Sequence, residues 1–308
     1  VLTLTEVGHF MFAAKSNRSW LSHLWHEWTV ESWRPIAPAF AKPKPEEWPN
    51  DRLSASWLGH ATVLINFFGV VVLTDPVLLS RIGIPLPGTA IGPKRLTKPA
   101  LEIDELPRID LILLSHAHFD HLDWRTLRRF DAGTHVVTAA RTRDLLRGTR
   151  LRAIRELRWG ESCQIETAHG ELLVRAFRVN HWGARVRRDT YRGYNGYVFE
   201  RNGRRIIFAG DTAMTNNFAE LRDERPYDLA IVGIGAYDPW IRSHCTPEQA
   251  VAMAKAAGAN FIMPVHHQTF KLSAEPFRQP IERFVRALAD EPERIASREI
   301  GETFVLPR

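Results

Sequence analysis

From about residue 53 onward the apolar positions fall in short dense runs, not at helical spacing. Residues 56–67, 70–74 and 111–115 are rich in Val, Ile and Leu, the pattern of strands buried on both faces. Residues 136–139, 172–179, 196–200 and 205–209 repeat it, and Asn202-Gly203 between the last two is a two-residue hairpin signal. Residues 229–234 and 260–265 add two strands, separated by a helix over 247–257 that Thr246 is suited to cap. A second helix is expected over 280–288 and a closing strand over 303–306. Strands dominate with helices between them, which predicts an α/β (α+β layered) fold of sheets flanked by helices. No short repeat and no low-complexity segment interrupts the pattern.

The first 52 residues differ. Leu21, Leu24, Trp25 and Trp28 follow i, i+3, i+4, i+7 spacing, one apolar face of a helix. Pro35, Pro38, Pro43, Pro45 and Pro49 then fix φ and remove backbone donors, so an extended strap should follow. Residues 1–52 are therefore read as an extension that packs on a domain formed by 53–308. Four of the ten tryptophans fall between Trp20 and Trp33, so the helix suits either packing on its own domain or lying at a lipid interface. Residues 1–14 are apolar, but Glu6 and His9 interrupt them and no basic run precedes them. They do not read as a signal peptide, and a cytoplasmic protein, with peripheral membrane contact as the variant, is the expectation.

Composition narrows the class. Of 308 residues, 44% are hydrophobic and 25% charged, which excludes wholesale disorder. The longest apolar runs, such as 67–73, fall far short of the roughly 20 residues of a membrane-spanning helix. Cys163 and Cys245 stand far apart, so neither a disulfide framework nor a thiolate zinc site is signalled, and a single bridge stays open. The net charge of +6 is mostly arginine, concentrated at Arg141, Arg143, Arg147, Arg150, Arg152, Arg155 and Arg158, and again at Arg185, Arg187, Arg188 and Arg192. Such stretches are either solvated faces or patches for anionic partners. With no zinc finger, RNA-recognition signature or helix-turn-helix beside them, no nucleic-acid partner is expected, and oligomeric state is not legible.

The chemistry concentrates at strand ends. The 111–115 strand runs into His116, His118, Asp120 and His121 within six residues. Neutral imidazole and carboxylate suit zinc and similar divalent ions. In an extended segment His116 and His118 point the same way, toward one ion, while Asp120 and His121 point elsewhere, toward a second. His181, Asp211 and the pair His266-His267 each follow a later apolar strand, where side chains from separate strands meet on one rim.

This H-x-H-x-D-H run, with later histidine, aspartate and histidine at strand ends, resembles the metallo-β-lactamase superfamily of binuclear metal hydrolases. Trp57-Leu-Gly-His-Ala-Thr62, Thr74-Asp-Pro76, Ser115 to Asp123, Ala209-Gly-Asp-Thr212, Gly233-Ile-Gly-Ala-Tyr-Asp-Pro239 and Thr269-Phe270 are similar to its N-acyl-phosphatidylethanolamine-hydrolysing phospholipase D branch. The resemblance covers about Trp57 to Pro280. It implies an αββα sandwich and two divalent ions, zinc first, with iron or manganese as alternatives. It implies that His116, His118 and His181 hold one ion, that Asp120, His121 and His266 hold the other, and that Asp211 bridges. His267 and Gln268 stand where the family has tryptophan and glycine, which makes His267 a competing last ligand. Asp75 resembles the family's structural aspartate, and His60 and His244 sit in branch motifs, facing substrate or supporting the ligands.

Two such ions can share and ionise a water that Asp120 or Asp211 orients toward a phosphorus or carbonyl carbon. His244 is the candidate proton donor to a leaving alkoxide. No G-x-S-x-G elbow or H-E-x-x-H helix offers another route, and Gly233–Gly235 lacks the third glycine of a dinucleotide site. The resemblance thus implies a phospholipase D type phosphodiesterase acting on an anionic or phospholipid substrate. The alternatives are a lactonase or other hydrolase of small anionic substrates, and a non-catalytic, metal-stabilised lipid- or nucleic-acid-binding protein.

Overall fold

A computed structural model of the protein describes residues 31–308, so the readings for residues 1–14 and for the Leu21 to Trp28 face lie outside the described residues. The first half contains β1 (Leu53–Gly59), β2 (Thr62–Phe67), β3 (Val70–Thr74), a small hairpin of β4 (Ile84–Leu86) and β5 (Thr89–Ile91), β6 (Leu111–Leu114), a single-turn helix α1 (Trp124–Leu127), β7 (His135–Ala139) and β8 (Ile154–Leu157). The second contains β9 (Ser162–Thr167), β10 (Gly170–Phe177), β11 (Gly196–Arg201), β12 (Arg204–Phe208), β13 (Tyr227–Gly233), α2 (Pro247–Ala257), β14 (Ala259–Val265), α3 (Gln279–Ala287) and β15 (Thr303–Val305).

Two sheets result, one in the order β15-β1-β2-β3-β6-β7-β8 and the other β14-β13-β12-β11-β10-β9. The dense apolar runs are explained by strands with two buried faces. On β12 and β13, Ile206, Phe208, Leu229 and Ile231 join the core between the sheets, where Phe67 meets Phe199 edge-on at 5.7 Å. The alternate residues Ile207, Ala230 and Val232 pack with Ala250, Val251 and Ala254 of α2 and Phe284 of α3. Each fully buried Ile, Leu or Phe contributes about 1.5–3 kcal/mol, so neither face is dispensable. The layered α/β reading holds.

Local signals behave as their chemistry requires. Asn202 and Gly203 both have positive φ (49° and 73°) and link the Arg201–Arg204 pair in a two-residue hairpin. Thr246 caps α2 in a reciprocal box with Gln249, and Gly258 ends it in the left-handed region. One expected strand was wrong: 56–67 is two strands, broken where Gly59 (φ 117°) and His60 (φ 52°) turn the chain back, so that Trp57 faces Val63. Strands β8 and β9 escaped notice because Arg155, Glu156 and Gln164 dilute their apolar positions. Residues 34–52 run over the domain, with Ala41 N–H donating to Ile300 O and Ala37 N–H to Leu96 O. Cys163 and Cys245 are both free thiols. Among the described residues no helix is long and apolar enough to cross a membrane.

Candidate metal centre

Strands β3 and β6 run parallel, as do β12, β13 and β14, so their C-terminal ends open on a common rim. Asp75 follows β3, His116 to His121 follow β6, Asp211 follows β12, His244 lies in the loop after β13, and His266 follows β14. His181 comes from the loop between β10 and β11, and His60 from the turn after β1. Two glycines let these loops close. A Cβ on Gly210 would stand 2.6 Å from Ser115 Cβ, and one on Gly235 would stand 2.2 Å from His266 O.

The donors form two groups of four, His116/His118/His181/Asp211 and His60/Asp120/His121/His266, each buried but for one half-buried member, and two overlapping groups of three, Asp75/His116/His121 and Asp211/His244/His266. In the first, His118 Nδ1 lies 2.8 Å from His116 Nε2 and 3.3 Å from His181 Nε2. The run is not extended throughout, as its spacing suggested. His121 and Leu122 N–H both donate to His118 O, and this turn carries Asp120 and His121 to the second group. Asp211 Oδ2 joins the groups, at 3.0 Å from His121 Nε2, 3.2 Å from His266 Nε2 and 3.9 Å from both His116 Nε2 and His181 Nε2.

Asp75 sits beneath the rim, fully buried. It accepts from Ser115 N–H (2.7 Å), Ser115 Oγ (2.5 Å) and His121 Nδ1 (2.6 Å). Holding Nδ1 reserves His121 Nε2 for a cation beside Asp211, which is how a supporting carboxylate sets a tautomer. With no cation there, burial opposes charge on His121, but Asp211, Asp120 and Asp75 outweigh it and raise its pKa well above the ordinary value. His60 is 2% exposed, with Nε2 3.0 Å from Asp120 Oδ2. Its backbone carbonyl accepts from His266 N–H at 2.9 Å. His267 belongs to none of these groups; its ring stacks on Trp57 at 4.3 Å.

Burial, reinforced by neighbouring imidazoles, holds His116 and His118 far below their ordinary pKa, in the neutral form that binds metals. Burial opposes the charge on Asp211, yet His121, His266 and His244 hold its carboxyl well below the usual range. Burial also opposes charge on His266, but Asp211 and Asp120 outweigh it and raise its pKa to about 9. His121 Nε2 and His266 Nε2 are buried without any hydrogen bond of acceptable geometry, despite standing 3.0–3.2 Å from a carboxylate oxygen. Such a donor set, aimed inward and unsatisfied, fits divalent cations.

A cleft of about 170 Å³ opens above the centre, lined by Phe119, Trp182, Trp240, Leu272, Arg185 and His244 among others. His244 Nδ1 stands 3.8 Å from Asp211 Oδ2, and burial pushes its pKa down to about 3. Arg185 donates to Ala117 O and Leu122 O and lies over the Phe119 ring at 4.0 Å. Sequence reasoning gave no role to Ser115 and counted Arg185 only as surface charge. Ser115 was legible as the residue between strand and histidines; nothing local marked Arg185.

The family model described as beta-lactamase superfamily domain matches residues 71–267. The chain belongs to the beta-lactamase superfamily. It is a metal-dependent hydrolase with the metallo-β-lactamase fold. An uncharacterized protein of Mycobacterium tuberculosis is 34% identical over 278 residues, covering 85% of this chain and 71% of that protein. The N-acyl-phosphatidylethanolamine-hydrolyzing phospholipase D 1 of Caenorhabditis elegans is 30% identical over 239 residues, 73% of this chain and 66% of that protein. Among solved structures, a metallo hydrolase from Ignicoccus hospitalis matches with a TM-score of 0.61 at 18% identity, over 83% of this chain and 99% of that chain.

Proposed function

We propose that this superfamily member is a binuclear phosphodiesterase of phospholipase D type, acting on N-acyl-phosphatidylethanolamine-like lipids. The observation that carries the reading is the convergence of two donor groups on one oxygen, Asp211 Oδ2, beneath an apolar cleft. His116, His118 and His181 would hold one ion, Asp120, His121 and His266 the other, and Asp211 both. Zinc suits these donors best, with iron or manganese as alternatives. Bound there, the ions lower the pKa of a water and offset charge developing at the phosphoryl group.

The chain's own residues do the rest. Asp120 and Asp211, kept ionised, would orient the water. His60 holds the Asp120 carboxylate from behind. His244 is neutral at physiological pH, so it serves as a hydrogen-bond donor to a phosphoryl or leaving oxygen rather than as a strong acid. Phe119, Trp182, Trp240 and Leu272 form apolar walls suited to a lipid at the cleft mouth. In this reading residues 1–52 are an extension on the 53–308 domain, and the enzyme works at a membrane surface.

One observation favours a second reading. A cleft of about 170 Å³ is small beside the roughly 300–1,000 Å³ of drug-sized ligand pockets, which suits a lactone or other small anionic substrate. Metal-loaded enzyme assayed on N-acyl-phosphatidylethanolamine and on sugar-phosphate lactones separates the two. Release of phosphatidic acid, abolished by chelator and by His118→Ala, supports the first. Lactone turnover with no lipid turnover rejects it.

A further inference from the structure

The arginine stretch at 141–158 is not spread evenly over the surface. Arg141, Arg143, Arg147 and Arg152 line a single groove of about 430 Å³ beside β8, the last strand of its sheet. Two acids share the lining, and both are already engaged. Asp144 is clamped by Arg192, Nη1 to Oδ1 at 2.6 Å and Nη2 to Oδ2 at 2.9 Å. Glu156 Oε1 accepts from the N–H groups of Thr142 (2.7 Å) and Arg143 (2.8 Å). The side chains of Arg143 and Arg147 are exposed and make no hydrogen bond or ion pair among the described residues. Guanidinium groups gathered in a concavity focus a positive field, and their planar forks match phosphate oxygens two at a time.

We propose that this groove is a binding site for a phosphate-bearing anion, separate from the metal centre. No residue lining it lines the metal cleft. It is nevertheless joined by hydrogen bonds to a loop that reaches the centre. Arg192 Nη1 donates to Arg141 O at 2.5 Å and Gly193 N–H to Ala140 O at 2.8 Å, and the loop bearing Arg192 and Gly193 also carries His181 and Trp182. The phosphate comes either from a lipid headgroup or from a free phosphate compound. The chemistry of recognition is the same.

The test uses metal-loaded enzyme and two probes. Inorganic pyrophosphate is titrated by calorimetry, and phosphatidylcholine vesicles with and without phosphatidic acid are sedimented with the protein. The wild type is expected to bind at least one probe, more weakly as salt is added. Arg143→Gln/Arg147→Gln should lose about tenfold or more in that affinity, with thermal midpoint and metal content unchanged. Binding of pyrophosphate alone identifies a free phosphate compound; binding of phosphatidic acid vesicles alone identifies a headgroup. Weakened binding that remains in the double variant is expected from Arg141 and Arg152, which still line the groove. If the double variant does not fold, the single variants Arg143→Gln and Arg147→Gln should each lose part of the affinity. A wild type that binds neither probe, or variants that bind both unchanged, overturns the proposal.

Discussion

Asp75 belongs to neither of the two groups of four that have the Asp211 carboxylate as member or neighbour, yet replacing it should disable the centre. Its Oδ1 accepts from Ser115 N–H, and its Oδ2 accepts from Ser115 Oγ and His121 Nδ1. Asparagine has the same shape but only one acceptor oxygen. If that oxygen keeps the Ser115 amide, the new NH₂ confronts Ser115 Oγ and His121 Nδ1. The serine hydroxyl can rotate. The imidazole must move its proton to Nε2, the nitrogen that faces Asp211 at 3.0 Å. A protonated Nε2 cannot bind a cation. Loss of such a supporting carboxylate typically weakens metal affinity 10–100-fold, about 1.4–2.7 kcal/mol. The displaced buried bonds cost the metal-free fold about 1.5–3 kcal/mol each. Asp75→Asn should therefore unfold at a lower temperature in chelator and also gain less from added zinc. Competition against a chromogenic chelator measures the affinity, and elemental analysis the number of ions. Wild-type affinity and two ions per chain in Asp75→Asn would refute the tautomer argument.

Four further outcomes are expected. His266→Ala should lose about one bound ion per chain, whereas His267→Ala, which removes only a ring stacked on Trp57, should keep the full complement by elemental analysis. The pKa of His266 is raised to about 9 in the metal-free centre, so its contribution to stability is full below about 6.5 and lost as pH rises through about 9. Thermal unfolding in chelator should show that decline, and His266→Ala should remove it. Gly235→Ala places a Cβ 2.2 Å from His266 O, which should cost about 1–3 kcal/mol and reduce metal content; Gly203→Ala, at a positive-φ hairpin position open to solvent, should cost about 1 kcal/mol and leave activity alone. His244→Ala should lower kcat with metal content unchanged.

What could be read from the chain was whatever depends on neighbours in sequence. Apolar runs at 70–74, 111–115 and 229–234 announce strands because only two-sided burial makes so many consecutive branched residues favourable. Asn202-Gly203 announces its hairpin because few other pairs tolerate two positive φ angles. The H-x-H-x-D-H run announces metal chemistry because so many ligand atoms in six positions have little other use. The break at His60 was not visible. Its left-handed backbone is held by tertiary partners, Thr269 Oγ1 accepting from its N–H and its carbonyl receiving the His266 N–H.

Tertiary structure alone decided how the ligand atoms group. Local spacing suggested which way His116 and His118 point, but not that a turn at His118 would carry Asp120 and His121 to a different set of partners. It offered His266 and His267 as equals in chemistry. Strand register separated them, directing one ring toward Asp211 and the other onto Trp57. Residue type sets what a side chain is able to bind. Where its atoms meet those from four other strand ends depends on sheet order and loop closure, which no contiguous stretch of sequence contains.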